Sequence, residues 1–97
     1  MYTIEFSREA MEDLKWFRKT EQNIILDGIE DSLRHQATVE TRNRGQLRSN
    51  QTAEWKLRIG DFRVYYDAVE ADRTVTIVAV GFKIGNRVYF RGQERLL

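Results

Sequence analysis

Apolar positions recur along the chain with two different periods, and the change of period divides it. Residues 2–6, YTIEF, alternate apolar and polar, which predicts a short strand, and Ser7 directly after them suits a helix N-cap. From Arg8 to about Lys19 apolar side chains return at Ala10, Leu14 and Phe17, with Met11 beside them, a helical spacing. Thr20 is then expected to cap a second helix in which Ile25, Ile29 and Leu33 stand four apart on one face. Together these segments predict a helical hairpin. Residues 38–53, TVETRNRGQLRSNQTA, keep no period and are rich in polar side chains, so a loop is expected there. Beyond it the period is two. Strands are predicted over 54–59, 62–69, 74–81 and 87–91, with 62–69 and 74–81 the most apolar and therefore central.

One strand, two helices and a four-strand antiparallel meander make an α+β fold with the helices on one face of the sheet. A chain of 97 residues suffices for one core and not for two, and without repeats, low-complexity tracts or proline no linker is visible, so residues 1–97 read as a single domain.

The stretch EWKLRIGDFRVYYD (54–67) reads as a hairpin turning at Gly60-Asp61, with glycine first as a type II′ turn prefers. That turn sets the register: Ile59 opposite Phe62, Leu57 opposite Val64 and Trp55 opposite Tyr66, all on the core face. The other face sets Arg58 opposite Arg63 and Lys56 opposite Tyr65, with Glu54 on the same side. Like charges directly opposite each other destabilise a sheet, so folding alone does not select Arg against Arg, and an anionic ligand is expected. In NRVYFRG (86–92), Val88 and Phe90 alternate with Arg87, Tyr89 and Arg91, which predicts a second basic face carrying an aromatic ring. Lys83, expected in the loop before this strand, is near enough to overhang the same surface. Cations for phosphates interleaved with rings for bases are what single-stranded nucleic acid binding requires.

Charge supports this picture. Residues 1–33 hold 4 basic and 8 acidic side chains, net −4, and residues 34–97 hold 12 and 7, net +5. The asymmetry suggests a basic working surface, with Arg42, Arg44 and Arg48 of the polar loop as further cations for an RNA backbone or, alternatively, as solvated loop residues. The chain has no cysteine, so disulfides and thiolate metal sites are excluded. No apolar run approaches the ~18 residues of a membrane span, the N-terminus MYTIEFSREA lacks a signal-peptide core, and a cytoplasmic setting is expected.

The runs WKLRIGDFRVYY (55–66) and VAVGFKIGNRVY (78–89) resemble the RelE/ParE superfamily of toxins from type II toxin–antitoxin modules, whose strand pair reads roughly W-x-L-R-x-G-x-[FY]-R-[VIL]-x-Y, followed by an apolar strand ending in V-G and a later tyrosine. The helix-pair-then-sheet order agrees, so the resemblance spans nearly the whole chain. It implies a RelE-like, microbial ribonuclease-type sheet. It also implies one of two activities: a metal-independent, cofactor-free endoribonuclease that cuts mRNA in the ribosomal A site, or a ParE-like inhibitor of DNA gyrase without nuclease activity. The nuclease positions are matched here by Arg63, Lys83, Tyr89 and Lys56, with Arg58 two residues beyond that lysine, and the nuclease reading leads. Two departures stand out: Glu54 occupies the place of a second lysine, and Lys83 stands where the best-known pattern has arginine. The implied partners are a neutralising antitoxin that wraps the toxin, the 70S ribosome with its mRNA, and operator DNA reached through the antitoxin. Trp16 and Leu96 are candidate apolar contacts for that antitoxin.

In such a nuclease the 2′-OH attacks the adjacent phosphorus, leaving a 2′,3′-cyclic phosphate and a free 5′-OH. The expected roles are Arg63 and Arg58 on the phosphate, Lys83 at the leaving oxygen and Tyr89 on the nucleotide. Lys56 or Glu54 acts as base. Arg87 and Arg91 extend the phosphate-binding surface. His35, the one histidine, reads as a helix-end residue and not a base.

Overall fold

The computed structural model describes residues 1–47 and 53–94; Arg48 and Leu96 of the sequence reading lie outside them. The elements are β1 (Thr3–Phe6), α1 (Arg8–Trp16), α2 (Lys19–Leu33), β2 (Arg44–Gln46), β3 (Trp55–Ile59), β4 (Phe62–Val69), β5 (Thr74–Ile84), β6 (Arg87–Phe90) and β7 (Gln93–Glu94). Strands β2 to β7 pair in chain order as an antiparallel sheet, and β1 adds itself in parallel to β5. The expected meander, with β4 and β5 central, is therefore present. No helix among the described residues is long and apolar enough to cross a membrane.

Local chemistry explains the helix ends. The Ser7 hydroxyl accepts the Ala10 N–H at 3.1 Å and caps α1 as the sequence suggested. The second helix begins one residue before Thr20, because Arg18 is the cap and the Glu21 carboxylate accepts its N–H at 3.0 Å. The carboxylate reaching back from the first turn satisfies the N–H of the cap residue itself, a donor distinct from the one a threonine hydroxyl would have accepted. Inside α2, Gly28 is required by close approach: a Cβ there would lie 2.6 Å from Ile59 Cδ1 on β3. That contact outweighs the ~1 kcal/mol that glycine costs a helix interior.

Both helices pack on one sheet face. Leu14, Phe17, Ile25, Ile29 and Leu33 meet Trp55, Leu57, Val64, Tyr66, Ile77 and Val80 in the main core. A smaller cluster of Ala53, Tyr65, Ala79 and Phe90 lies on the opposite face. The hairpin register is the predicted one, residue for residue, and Gly60 has φ +59° with Asp61 outside the positive-φ region. Strand β5 is interrupted by a bulge: Tyr65 pairs Ala79 while Tyr66 pairs Ile77, so Val78 is extra. Val75 and Ile77 face the helices before it, Val80 and Phe82 after it, and Ala79, Gly81 and Lys83 face away.

Three expectations are corrected. Lys83 is not in a loop, because β5 runs on to Ile84. The 38–53 loop contains β2, which pairs β3, with Arg44 opposite Leu57. Arg44 is buried, its Nε donating to Val39 O and its Nη1 to Ser32 O, both at 2.6 Å. It ties the α2 exit to the sheet, with its guanidinium turned inward instead of lying in an open loop; a three-residue strand with no apolar alternation gave no period to read. The final hairpin partner β7 was likewise too short to announce itself.

Arg44→Met should leave buried carbonyls unpaired and lower the unfolding free energy by roughly 2 kcal/mol in urea denaturation. Unchanged stability would show that Arg44 carries no structural load.

Candidate functional site

Alternation along β3, β4 and the far half of β5 brings four cations to the sheet face away from the helices. Lys56 and Arg58 stand on β3, Arg63 on β4 opposite Arg58, and Lys83 on β5 two residues past Gly81, which pairs Arg63. Tyr65 is directly opposite Lys56 on the same face. Its ring is 3% exposed and packs against Phe90 with centroids 5.7 Å apart. Among the described residues none of these four cations forms an ion pair with a carboxylate.

Arg63 is 5% exposed, and its Nη1 donates to Gly60 O at 2.8 Å and Phe62 O at 3.0 Å. It therefore braces the hairpin turn as well as charging the face. Arg58 is exposed. The crowding is felt at Lys56, whose ammonium is held below the usual 10.5 by partial burial first, then by Arg63, Arg58 and Lys83. Burial, followed by Arg58, also lowers Arg63, with Tyr65 and Asp61 opposing. Burial raises the Tyr65 phenol, which the Arg63 charge counters. Such a face suits an anionic ligand, because a chain of phosphodiesters brings one negative charge per linkage to offset several of the cations, while the lowered lysine can exchange a proton nearer neutrality. Among the described residues no cluster of His, Asp or Glu could hold a metal ion.

Other predicted site residues stand elsewhere. Tyr89 pairs Phe82 and so lies on the helix side of the sheet, in an apolar groove of about 640 Å³ with Trp16, Phe17, Arg18, Glu21, Ile84 and Gly92. Alternation in β6 correctly grouped Arg87, Tyr89 and Arg91, but the phase of β5 decides which side that group faces. Arg87 pairs with Glu94 at 3.3 Å. Arg91, at φ +52° in the β6–β7 turn, binds Glu9, Glu12 and Asp13 of α1 at 2.7, 2.8 and 3.0 Å. Both are occupied by carboxylates instead of lying open on the cationic face. Glu54 is exposed just before β3, its backbone N–H donating to Asp67 Oδ1 at 2.8 Å, and Arg42 is exposed in the β2 approach. Tyr65 is the site residue that sequence reasoning passed over; its pairing with Lys56 was the available signal.

Solved structures share this arrangement of a two-helix layer on a meander. The RelBE2 toxin–antitoxin complex from Mycobacterium tuberculosis aligns at 21% identity with TM-score 0.70, covering 84% of this chain and 98% of that one. The isolated E. coli RelE toxin aligns at 16% identity with TM-score 0.69, covering 88% and 87%. The heterotetrameric YoeB–YefM toxin–antitoxin complex from Staphylococcus aureus aligns at 25% identity with TM-score 0.62, covering 88% and 98%. No curated protein matches the chain. The fold is thus that of the RelE-like toxins. The chain belongs to the ParE toxin family of type II toxin–antitoxin systems, whose family model it matches over residues 4–82.

The lowered Lys56 carries a stability signature. Between its folded value and 10.5 the unfolded chain keeps a proton that the folded chain has released, so unfolding free energy rises with pH across that window. Lys56→Met should remove this slope and stabilise the protein below the window, as read by urea denaturation at stepped pH. An identical slope in the variant would contradict the assignment.

Proposed function

We propose that this toxin is a metal-independent endoribonuclease that cleaves mRNA in the ribosomal A site and stops translation. The observation that carries the reading is the set of four cations on one sheet face, without carboxylate partners among the described residues, around a lysine of lowered pKa. In this scheme Lys56 takes the 2′-OH proton as the oxygen attacks phosphorus. Arg58 and Arg63 hold the non-bridging oxygens as negative charge builds, and Lys83 gives a proton to the departing 5′-oxygen, leaving a 2′,3′-cyclic phosphate. Tyr65, cross-strand from Lys56, supplies the aromatic floor of this face where Tyr89 was first expected. Such a site lacks an ideal base, so positioning of the substrate by the ribosome supplies much of the rate. This scheme assigns Arg42 and Arg48 to the ribosomal RNA backbone. The setting is the cytoplasm, and a cognate antitoxin neutralises the toxin and carries operator binding, in keeping with the complexes to which the fold is similar.

Two observations favour a second reading, inhibition of DNA gyrase. The family model is that of ParE toxins, and Tyr89 faces away from the cations, leaving them without an exposed ring for base stacking.

End mapping of a reporter mRNA in a purified translation system separates the two. Arg58→Ala suits the test better than Arg63→Ala, because Arg63 also braces the turn. Ribosome-dependent cuts with wild type are expected, reduced on the order of 10²–10³-fold in Arg58→Ala and of 10²–10⁴-fold in Lys56→Ala. Cleavage should rise with pH toward the Lys56 pKa, and Lys56→Arg should lose that limb. Intact mRNA together with wild-type inhibition of gyrase supercoiling would overturn the nuclease reading in favour of the second.

A further inference from the structure

Strand β5 has a gap along one edge. Its side away from β4 is paired by β1 through Ile77 and by β6 from Phe82 onward, so among the described residues no strand pairs the bulge and the residues after it on that side. Helix α1 fills the gap with two side chains. The Ser7 hydroxyl donates to Val78 O at 3.2 Å, while Asp13 Oδ2 accepts the Val80 N–H at 3.0 Å. Asp13 is 0% exposed, and Arg91 Nε, 3.0 Å from Oδ1, balances its charge. A buried carboxylate is costly, and a backbone N–H alone does not require one. This one sits where the extra residue in β5 reverses the inward and outward faces of the strand. With that reversal Lys83 faces the cations; a continuous alternation from Ile77 would turn it toward the helices.

We propose that Asp13 is a positioning residue for the reaction: by holding Val80 at the gap it fixes the β5 bulge and keeps Lys83 on the cationic face, next to Arg63 at the hairpin turn. The proposal rests on reading the cationic face as the reaction site. It adds a residue 67 positions away in sequence from its backbone partner, on the opposite side of the sheet. Ser7 is the lesser member of the same device, since it holds the carbonyl of the extra residue while capping α1.

The test reads the Lys56 ammonium pKa by side-chain NMR, with and without Lys83. Lys83→Met should raise it, because Lys83 is one of the charges that lower it. Asp13→Ala should raise it by a similar amount and add little in the Lys83→Met background. Asp13→Asn keeps an acceptor for Val80 and should leave the titration near wild type. In the cleavage assay Asp13→Ala should lower kcat on the order of a hundredfold with KM little changed, the pattern of a misplaced group. Ser7→Ala serves if Asp13→Ala does not fold; it should shift Lys56 in the same direction by less, again only when Lys83 is present. An unchanged Lys56 titration in the folded variants, or an equal shift without Lys83, would overturn the proposal. The titration needs no RNA: if it responds as expected while wild type cuts no mRNA, the nuclease reading fails and the positioning stands.

Discussion

The hydrogen bond from the Val80 amide to the buried Asp13 carboxylate is the interaction on which both faces of the sheet depend. It lies where β5 passes from β1 to β6 and where one inserted residue reverses the strand's alternation. On the helix side the reversal delivers Val80 and Phe82 to the core that Phe17 and Phe62 complete, with Phe62 edge-on to both Phe17 and Phe82. On the other side it delivers Gly81 and Lys83. Gly81 has no room for a side chain, since a Cβ would lie 2.8 Å from Val88 and 2.9 Å from Phe90, so β6 can fold closely over the strand beside Arg63. A single acceptor in α1 thus couples core packing to the layout of the cations.

The charge asymmetry along the chain resolves into two parts. Several basic residues of the C-terminal two thirds neutralise carboxylates: Arg91 on α1, Arg87 on Glu94 and Arg73 on Glu70. Arg91 adopts a backbone conformation unfavourable for a side chain, which three carboxylates stabilise. Four others gather on one face where mutual repulsion is strong: Arg58 opposite Arg63, with Lys56 and Lys83 on the same side. That arrangement opposes folding, and in the proposed function a bound polyanion is what relieves it. Partial burial first, and then the same repulsion, lowers the Lys56 proton affinity.

The hairpin was fully legible in the sequence because a two-residue turn with glycine first leaves one register, and from that register Lys56, Arg58 and Arg63 share a face. The two helices were legible from four-residue apolar spacing, and Ser7 from its place between two periods. Tyr89 was misplaced for a physical reason: alternation within β6 tells which residues stand together and not which side they face, and the deciding bulge lies in another strand. Val78 and Ala79 are both small and apolar, so nothing in their identity marks the extra residue. Asp13 escaped notice because a carboxylate in an amphipathic helix resembles its solvated neighbours Glu9 and Glu12; its partner is a backbone amide far along the chain. Arg44 and Arg91 read as free cations for a related reason, as charge is visible in a sequence and its counter-charge or carbonyl partner is not.

The central claim is that the face carrying Lys56, Arg58, Arg63 and Lys83 holds the scissile phosphate. The most direct measurement is a cryo-electron microscopy structure of the toxin on a programmed ribosome, with mRNA blocked by a 2′-O-methyl group at the A-site cleavage position. The account predicts that phosphate among these four side chains, the attacking ribose oxygen nearest Lys56 and the leaving oxygen nearest Lys83. Messenger RNA lying instead along the Trp16–Tyr89 groove, or no mRNA against the cationic face, would contradict it.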